Sequence, residues 1–378
     1  MLKELKKDKK VFVAMSGGVD SSVAALLLKK QGYDVVGVFM KFWADMKSIS
    51  GANENRCCSL EARRDAMRVC AKLNIPFLTW DFQKEFKKAV VNNFISGYKK
   101  GITPNPCVVC NKEIKFGLFF EKALKMGADY IATGHYVRLR KLKIENWKLE
   151  IARDRVKDQS YFLWNLTQNQ LKHCLFPIGD YLKSEVRQIA KKAGLPVALK
   201  KESQEVCFVC DRDLAGFLKR HIYAKKGPII ESKTRKKIGE HQGVQFYTIG
   251  QRVPVGGTGP YFVAEKKLKK NQLLVVKRSA QDFFHKEIIL KNINWISGKL
   301  PKSPKILVRT RYRQPLAAAT LITADNKQIS ADKNPRQSAF KSASIRVLFG
   351  SGQKAVAPGQ SVVFYSKNGE LLGGGVII

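Results

Sequence analysis

The sequence predicts an α/β domain built on a parallel sheet, followed by a small central β-rich domain and a C-terminal β-barrel. Three observations carry this. In the first half, short apolar runs alternate with amphipathic helical segments, the pattern of a parallel sheet covered by helices on both faces. A glycine-rich turn closes the first apolar run. After about Cys210 the texture changes to short apolar runs separated by Gly, Pro, Asn and Lys, which reads as all-β.

Val11-Phe12-Val13-Ala14-Met15 forms the first buried strand. Ser16-Gly17-Gly18-Val19-Asp20-Ser21-Ser22 follows, then Val23–Leu28 as a helix closed by Gly32. Val35–Met40 is a second strand, Leu60–Lys72 a helix and Ile75–Phe82 a third strand. Lys84–Lys99 and Glu113–Lys125 are helices, and Asp129–Thr133 is a strand. Val137–Arg153 alternates polar and apolar residues about Glu145-Asn146, as a hairpin does. Tyr181–Lys192 is a helix stopped by Gly194 and Pro196. Val244–Ile249, Tyr261–Ala264, Gln272–Val276, Lys305–Tyr312, Ala317–Ile322 and Ser361–Tyr365 are expected strands, and the polar Asp325–Lys341 a loop. Domain boundaries fall near residues 211 and 287, giving 1–210, 211–286 and 287–378.

A chain of 378 residues exceeds one hydrophobic core. No apolar stretch approaches the roughly 18 residues of a membrane span. Met1–Lys10 is a basic lead into the first strand rather than a signal peptide, so the chain reads as cytoplasmic with no membrane partner. Lys and Arg number 69 against 31 Asp and Glu, a net charge of +38. Such an excess points to a polyanionic partner, nucleic acid first, bound in a salt-sensitive way.

The turn Ser16–Ser22 offers glycines and hydroxyls between a strand and a helix. Backbone N–H groups there can surround an anion at the positive end of the helix dipole. The loop has no lysine, so the Gly-x-x-x-x-Gly-Lys-Ser/Thr phosphate loop is absent. Gly134-His135-Tyr136 also follows a strand end, so both segments are expected in one pocket at the carboxyl edge of the sheet.

Eight cysteines stand at positions 57, 58, 70, 107, 110, 174, 207 and 210. Two Cys-x-x-Cys pairs, Cys107/Cys110 and Cys207/Cys210, stand out. Zinc ribbons separate their pairs by about 15–20 residues, whereas about a hundred lie between these. Zinc stays an alternative, and a structural disulfide is disfavoured in a reducing compartment. Cys70 and Cys174 read as buried inert thiols. Two prolines hold the approach to Cys107 extended, and Asn111 is expected to cap the next helix. A thiol before a helix N-terminus has its thiolate favoured. A persulfide on one cysteine and a nucleophilic thiol on another can pass a sulfur atom, leaving a disulfide on the enzyme.

Ser16–Ser21 resembles the Ser-Gly-Gly-x-Asp-Ser loop of the N-type ATP pyrophosphatase superfamily, with its adenine nucleotide alpha hydrolase-like, PP-loop fold. That resemblance implies cleavage of ATP between the α and β phosphates and transfer of AMP to a substrate oxygen. With Phe39-Met40-Lys41, Thr103–Phe116, Ala132–Tyr136, Lys157–Leu163, Glu202–Phe208, Tyr247–Arg252, Arg311–Arg313 and Ala357–Gln360, the chain resembles the bacterial-type tRNA-specific 2-thiouridylases nearly end to end.

The family likeness implies ATP-dependent 2-thiolation of the wobble uridine of tRNA, with the position-2 oxygen adenylated and then replaced by sulfur. It implies that Cys207 carries a persulfide, that Cys110 is the partner nucleophile, and that a reductant reopens their disulfide. By the same likeness, Ala14, Met15, Ser16, Gly17, Gly18, Val19, Asp20, Ser21, Met40 and Gly134 contact ATP. Asn105, Pro106 and Cys107 lie against the target base. His135, Lys157, Asp158, Gln159, Arg311, Tyr312 and Gln360 meet the tRNA, whose anticodon-loop base is flipped to expose its reacting edge. Mg²⁺ is expected with ATP, and a persulfide donor or relay protein as partner. Some family members carry Asp where Cys107 stands. Three thiols also leave an iron–sulfur cluster on Cys107, Cys110 and Cys207 as an alternative. Another AMP-forming enzyme on the same loop, or a zinc-containing RNA-binding protein, are the remaining alternatives.

Overall fold

A computed structural model describes residues 8–45, 59–142, 146–201, 206–209, 213–255, 259–277, 284–323, 344–354 and 356–378. The expected loop Asp325–Lys341, Cys57, Cys58, Cys210 and Glu202–Glu205 lie outside these residues.

The first sheet has five strands: β1 (Lys10–Met15), β2 (Asp34–Lys41), β3 (Phe77–Asp81), β4 (Tyr130–Ala132) and β7 (Cys174–Leu175), in the order β3-β2-β1-β4-β7. All its pairings are parallel. Alternate β1 residues feed opposite cores, as a strand covered on both faces must. Phe12 and Ala14 join Val36, Val38, Trp80 and Ile131 on one face. Val11, Val13 and Met15 join Val35, Phe39 and Ala132 on the other. Helix α1 (Val19–Lys30), α2 (Leu60–Lys72) and α5 (Lys183–Lys192) cover the second face. On the first face lie α3, running over residues 83–99, and α4, over 106–125. Strand order reverses between β1 and β4, where open α/β sheets hold their ligands.

Three expectations shift here. Helix α4 begins at Pro106, seven residues before the expected Glu113, and its cap is Asn105, whose Oδ1 accepts from Val108 N at 3.3 Å. Asparagine at the cap followed by proline at the first helical position is a strong start signal, stronger than Asn111. Val244–Phe246 is a 3₁₀ turn rather than a strand, and the strand expected over Lys305–Tyr312 ends at Arg309.

The central sheet is built from β8 (Gly227–Glu231), β9 (Lys237–His241), β10 (Arg252–Val253), β11 (Tyr261–Lys267) and β12 (Gln272–Lys277), in the order β10-β11-β12-β8-β9. Helix α6 (Leu214–His221) precedes it. The last sheet holds β13 (Phe284–Trp295), β14 (Lys305–Arg309), β15 (Ala317–Thr323), β16 (Ile345–Lys354), β17 (Ser361–Tyr365) and β18 (Glu370–Ile377). The β13–β18 pairing closes these six strands into a barrel. The expected hairpin forms as β5 (Val137–Lys141) and β6 (Trp147–Ile151). It departs from the first domain, however, and extends the barrel sheet by pairing β6 with β18.

Beside that hairpin runs a buried polar network. Asp158, 2% exposed, accepts from Arg309 Nη1 at 2.6 Å, Ser160 Oγ at 2.9 Å and Ala152 N at 3.0 Å. Ser160 Oγ also pairs with Tyr365 Oη at 3.0 Å. The Asp158 carboxylate is thereby fully engaged within the protein. It joins the first domain to the barrel. Removing one partner leaves a buried charge unpaired, so Arg309→Ala is expected to cost about 3–5 kcal/mol, measured by denaturant unfolding. A loss below about 1 kcal/mol would mean that the pair does not fasten the domains.

Candidate active site

Two centres emerge: one at the open end of α1, the other around α4. The N-cap of α1 is Gly18, extended at φ −106° and ψ 168°, and no side chain caps it among the described residues. Its first-turn N–H groups are therefore presented to a ligand, the arrangement that binds phosphate. Ser21 Oγ ties the turn together, accepting from Ser16 N at 3.2 Å and donating to Gly18 O at 3.2 Å. Gly17 sits at φ +68°, and a Cβ there would stand 2.2 Å from Ala62 O, so α2 packs directly on the turn. Gly134 approaches from β4, where a Cβ would meet Ser21 N at 2.6 Å. The structure thus brings the turn and Gly134 together, as expected from two strand ends on one edge.

Asp20, in the first turn of α1, is the hub. Its Oδ1 accepts from Tyr136 Oη at 2.9 Å and from Lys183 Nζ at 2.6 Å. Lys183 is largely buried, and its ammonium lies 5.7 Å from the centre of the Tyr136 ring. Sequence reasoning missed Lys183, although it supplies a cation beside the loop that lacks one. Gln159 secures Tyr136 by two bonds, accepting from its N at 3.0 Å and donating from its own N to Tyr136 O at 2.8 Å. His135 is buried between Phe116 and Phe176, with Nδ1 2.6 Å from Thr133 Oγ1. Burial, and then the nearby Lys115 charge, hold its imidazole well below the usual range. The side chain is therefore a neutral, largely enclosed group at pH 7.

The second centre is α4. Cys107 lies exposed in its first turn, while Cys110 is 7% exposed. From Cys110 to Leu118 the helix widens to π form, a departure often found at functional sites. Gly117 permits it, since a Cβ there would stand 2.9 Å from Lys112 O. Cys207 is half-buried in a turn closed by Val209 N to Val206 O at 3.1 Å. It packs on the same apolar cluster that contains Cys110. Phe208 anchors that turn, its ring 5.3 Å from Phe94, 5.6 Å from Phe217 and 5.8 Å from Phe86. Cys70 and Cys174 are buried, and burial pushes the Cys70 thiol up to about 12 and raises Cys174 further. Among the described residues no group of three or more His, Cys, Asp and Glu side chains gathers as metal ligands. The zinc and iron–sulfur alternatives find no matching donor set there, and no step is derived through either.

The chain entering α4 is held from two sides. Thr103 N donates to Pro358 O at 2.9 Å, and Gln360 Nε2 donates to Thr103 O at 2.9 Å and Pro104 O at 3.3 Å. Thr103 Oγ1 meets Thr248 Oγ1 of the central domain at 3.2 Å. Gln360 is therefore spent on the loop that leads to Asn105, Pro106 and Cys107. Tyr161 donates to Ser361 O at 2.9 Å, and Asn111 Nδ2 to Phe162 O at 3.1 Å. Tyr312 packs on Phe162, ring centres 4.5 Å apart.

Comparison with known proteins places these features in a family. A model described as the tRNA methyl transferase HUP domain matches residues 9–211. A tRNA methyl transferase PRC-barrel domain model matches 215–277, and an aminomethyltransferase beta-barrel domain model matches 335–377. The chain is 44% identical over 376 residues to a tRNA-specific 2-thiouridylase MnmA 2 of Thermoanaerobacter sp. (strain X514), covering 97% of each chain. It is 42% identical to tRNA-specific 2-thiouridylases MnmA of Clostridium botulinum (strain Alaska E43 / Type E3) and Clostridioides difficile (strain 630), covering 98% of each chain in both cases.

Two substitutions test the α1 centre. Lys183→Ala removes the cation at Asp20 and is expected to weaken ATP binding at least tenfold, read by calorimetry. Gly134→Ala drives a methyl into the backbone of residues 20 and 21 and is expected to do the same. Unchanged ATP affinity in both would remove this centre from nucleotide binding.

Proposed function

The chain belongs to the tRNA-specific 2-thiouridylase family, and from that premise we propose how its own residues carry the reaction. It is a sulfurtransferase that replaces the position-2 oxygen of a tRNA uridine with sulfur at the expense of ATP. The observation that carries the reading is the pairing of an uncapped, glycine-led helix N-terminus with two cysteines on one apolar cluster.

ATP is read into the α1 centre, with its phosphates on the first-turn N–H groups and with Met40 and Gly134 at the adjoining strand ends. Lys183 is the cation that offsets phosphate charge, oriented by Asp20. Mg²⁺ would accompany the nucleotide, and Asp20 is the carboxylate of the turn that would reach it. The position-2 oxygen attacks the α phosphorus, pyrophosphate departs, and the oxygen becomes part of an AMP leaving group. Cys207 then delivers sulfur. Cys110 attacks the inner sulfur of the Cys207 persulfide, a Cys110–Cys207 disulfide forms, and hydrosulfide is released. The hydrosulfide adds at carbon 2 and AMP leaves with the original oxygen. A two-electron reductant restores both thiols.

Burial of Cys110 suits this division. A half-exposed Cys207 can be loaded by a persulfide donor, while the Cys110 thiol is itself kept from water. Asn105 and Pro106, at the head of α4, and the exposed Cys107 would lie against the target base. The proposed tRNA contacts are Lys157, Arg311 and Tyr312, with the segments that hold His135, Asp158, Gln159 and Gln360. Asp20→Ala, which removes the hub of the activation centre, is expected to abolish AMP release. Cys110→Ser and Cys207→Ser are each expected to lower tRNA thiolation, read by mass spectrometry, at least a thousandfold while ATP binding persists. Thiolation retained in either serine variant would overturn the relay.

A further inference from the structure

Two half-buried cations, one from the central domain and one from the barrel, meet the same turn of the central domain. Lys266, on β11, donates from Nζ to Tyr247 O at 2.8 Å. Arg311, from the barrel, donates from Nη2 to Ile249 O at 2.6 Å. The two accepting carbonyls flank Thr248, the residue whose hydroxyl meets Thr103. This turn is rigid: Gly250 N donates to Val263 O at 2.7 Å, and Val263 N to Gln251 O at 2.9 Å. Just beyond Lys266, Leu268 closes on Gly101, where a Cβ would stand 2.6 Å from its Cδ1. Lys266 therefore lies between two contacts, Thr248 with Thr103 and Leu268 with Gly101, that seat the central domain on the segment leading to Cys107.

Neither cation has a carboxylate partner among the described residues. A charge partly withdrawn from water and bonded only to neutral carbonyls is under-compensated. Burial lowers the Lys266 ammonium to about 8, and it also lowers the Arg311 guanidinium. Arg311 in turn makes no ion pair among the described residues but exerts its charge on Tyr161, whose hydroxyl donates to Ser361 O. Elsewhere on this basic chain exposed cations find acids, as Arg140 does with Asp180 and Arg153 with Glu185. A pair that keeps to carbonyls beside the expected base site is poised for an anion supplied by the substrate.

We propose that Lys266 and Arg311 form a clamp for a backbone phosphate next to the target nucleotide, so that the central domain reads the anticodon loop directly. The clamp rests on the functional reading above, which supplies the RNA. Its second role is to hold the sugar–phosphate chain while the base turns toward Asn105 and Cys107, since a flipped base needs its flanking phosphates fixed.

The test is binding of a full tRNA and of an isolated anticodon stem-loop by the full chain across a salt series. Wild type, Lys266→Gln and Lys266→Arg are compared; the glutamine keeps a donor for Tyr247 O without the charge. Loss of one phosphate contact is expected to weaken binding roughly tenfold and to reduce the slope of log affinity against log salt by about one unit. The arginine variant is expected to keep the wild-type slope. The loss should be equal for the stem-loop and the full tRNA. A Lys266→Gln slope equal to wild type overturns the clamp, as does a loss confined to the full tRNA, which would put the phosphate outside the anticodon loop. If the wild type neither binds nor thiolates the stem-loop or the tRNA, the functional reading itself falls and the clamp with it.

Discussion

The backbone at Thr103 and Pro104 is the point on which the placement of Cys107 and Cys110 depends. These two residues have no regular structure, yet they set where α4 begins and so where Cys107 and Cys110 stand. Their amide and carbonyls are satisfied by Pro358 and Gln360 of the barrel, and the Thr103 hydroxyl by Thr248 of the central domain. Buried backbone groups must be paired somewhere. Here the pairing comes from two other domains instead of from a neighbouring strand. Position of the helix start is thus a property of the assembled chain.

The centre at the start of α1 depends on something different. Asp20 is fixed within the first domain, by Tyr136 from the end of β4 and Lys183 from α5. The two centres are therefore built on separate supports that share one sheet. Asp158 with Arg309 is the fastening between them and the barrel, a buried ion pair completed by Ser160, whose hydroxyl also pairs with Tyr365. Buried pairs of this kind add little net stability over a well-packed apolar contact, but they tolerate only one arrangement.

Legibility in the sequence followed the range of the interactions. The phosphate turn, the parallel sheet and α2 were readable because glycine spacing, apolar runs and end signals are local. Helix α4 was read as starting too late because Asn111 and Asn105 both suit a cap; the proline after Asn105 was the deciding signal. Lys183 was invisible because it reaches Asp20 across 163 positions, and no spacing rule links a lysine to a loop so far away. The enclosure of His135 and Asp158 was not legible in the sequence. An imidazole between two phenylalanines and a carboxylate matched to an arginine 151 positions on are satisfied only by tertiary contacts. The π form beginning at Cys110 left a trace in Gly117, a small residue where the widened turn brings a carbonyl close.

The hairpin β5–β6 adds a consequence for how the chain is made. Its outer partner is β18, whose Glu370 lies opposite Glu150, roughly 220 residues later, and contacts of such long separation form slowly. During synthesis the first domain emerges with the hairpin edge uncovered, because the strand that covers it has not been translated. The barrel cannot close until the same strand pairs with β13. One late segment therefore completes two structures at once, and a ribosome-bound intermediate with an exposed β edge is the state that cellular chaperones would meet.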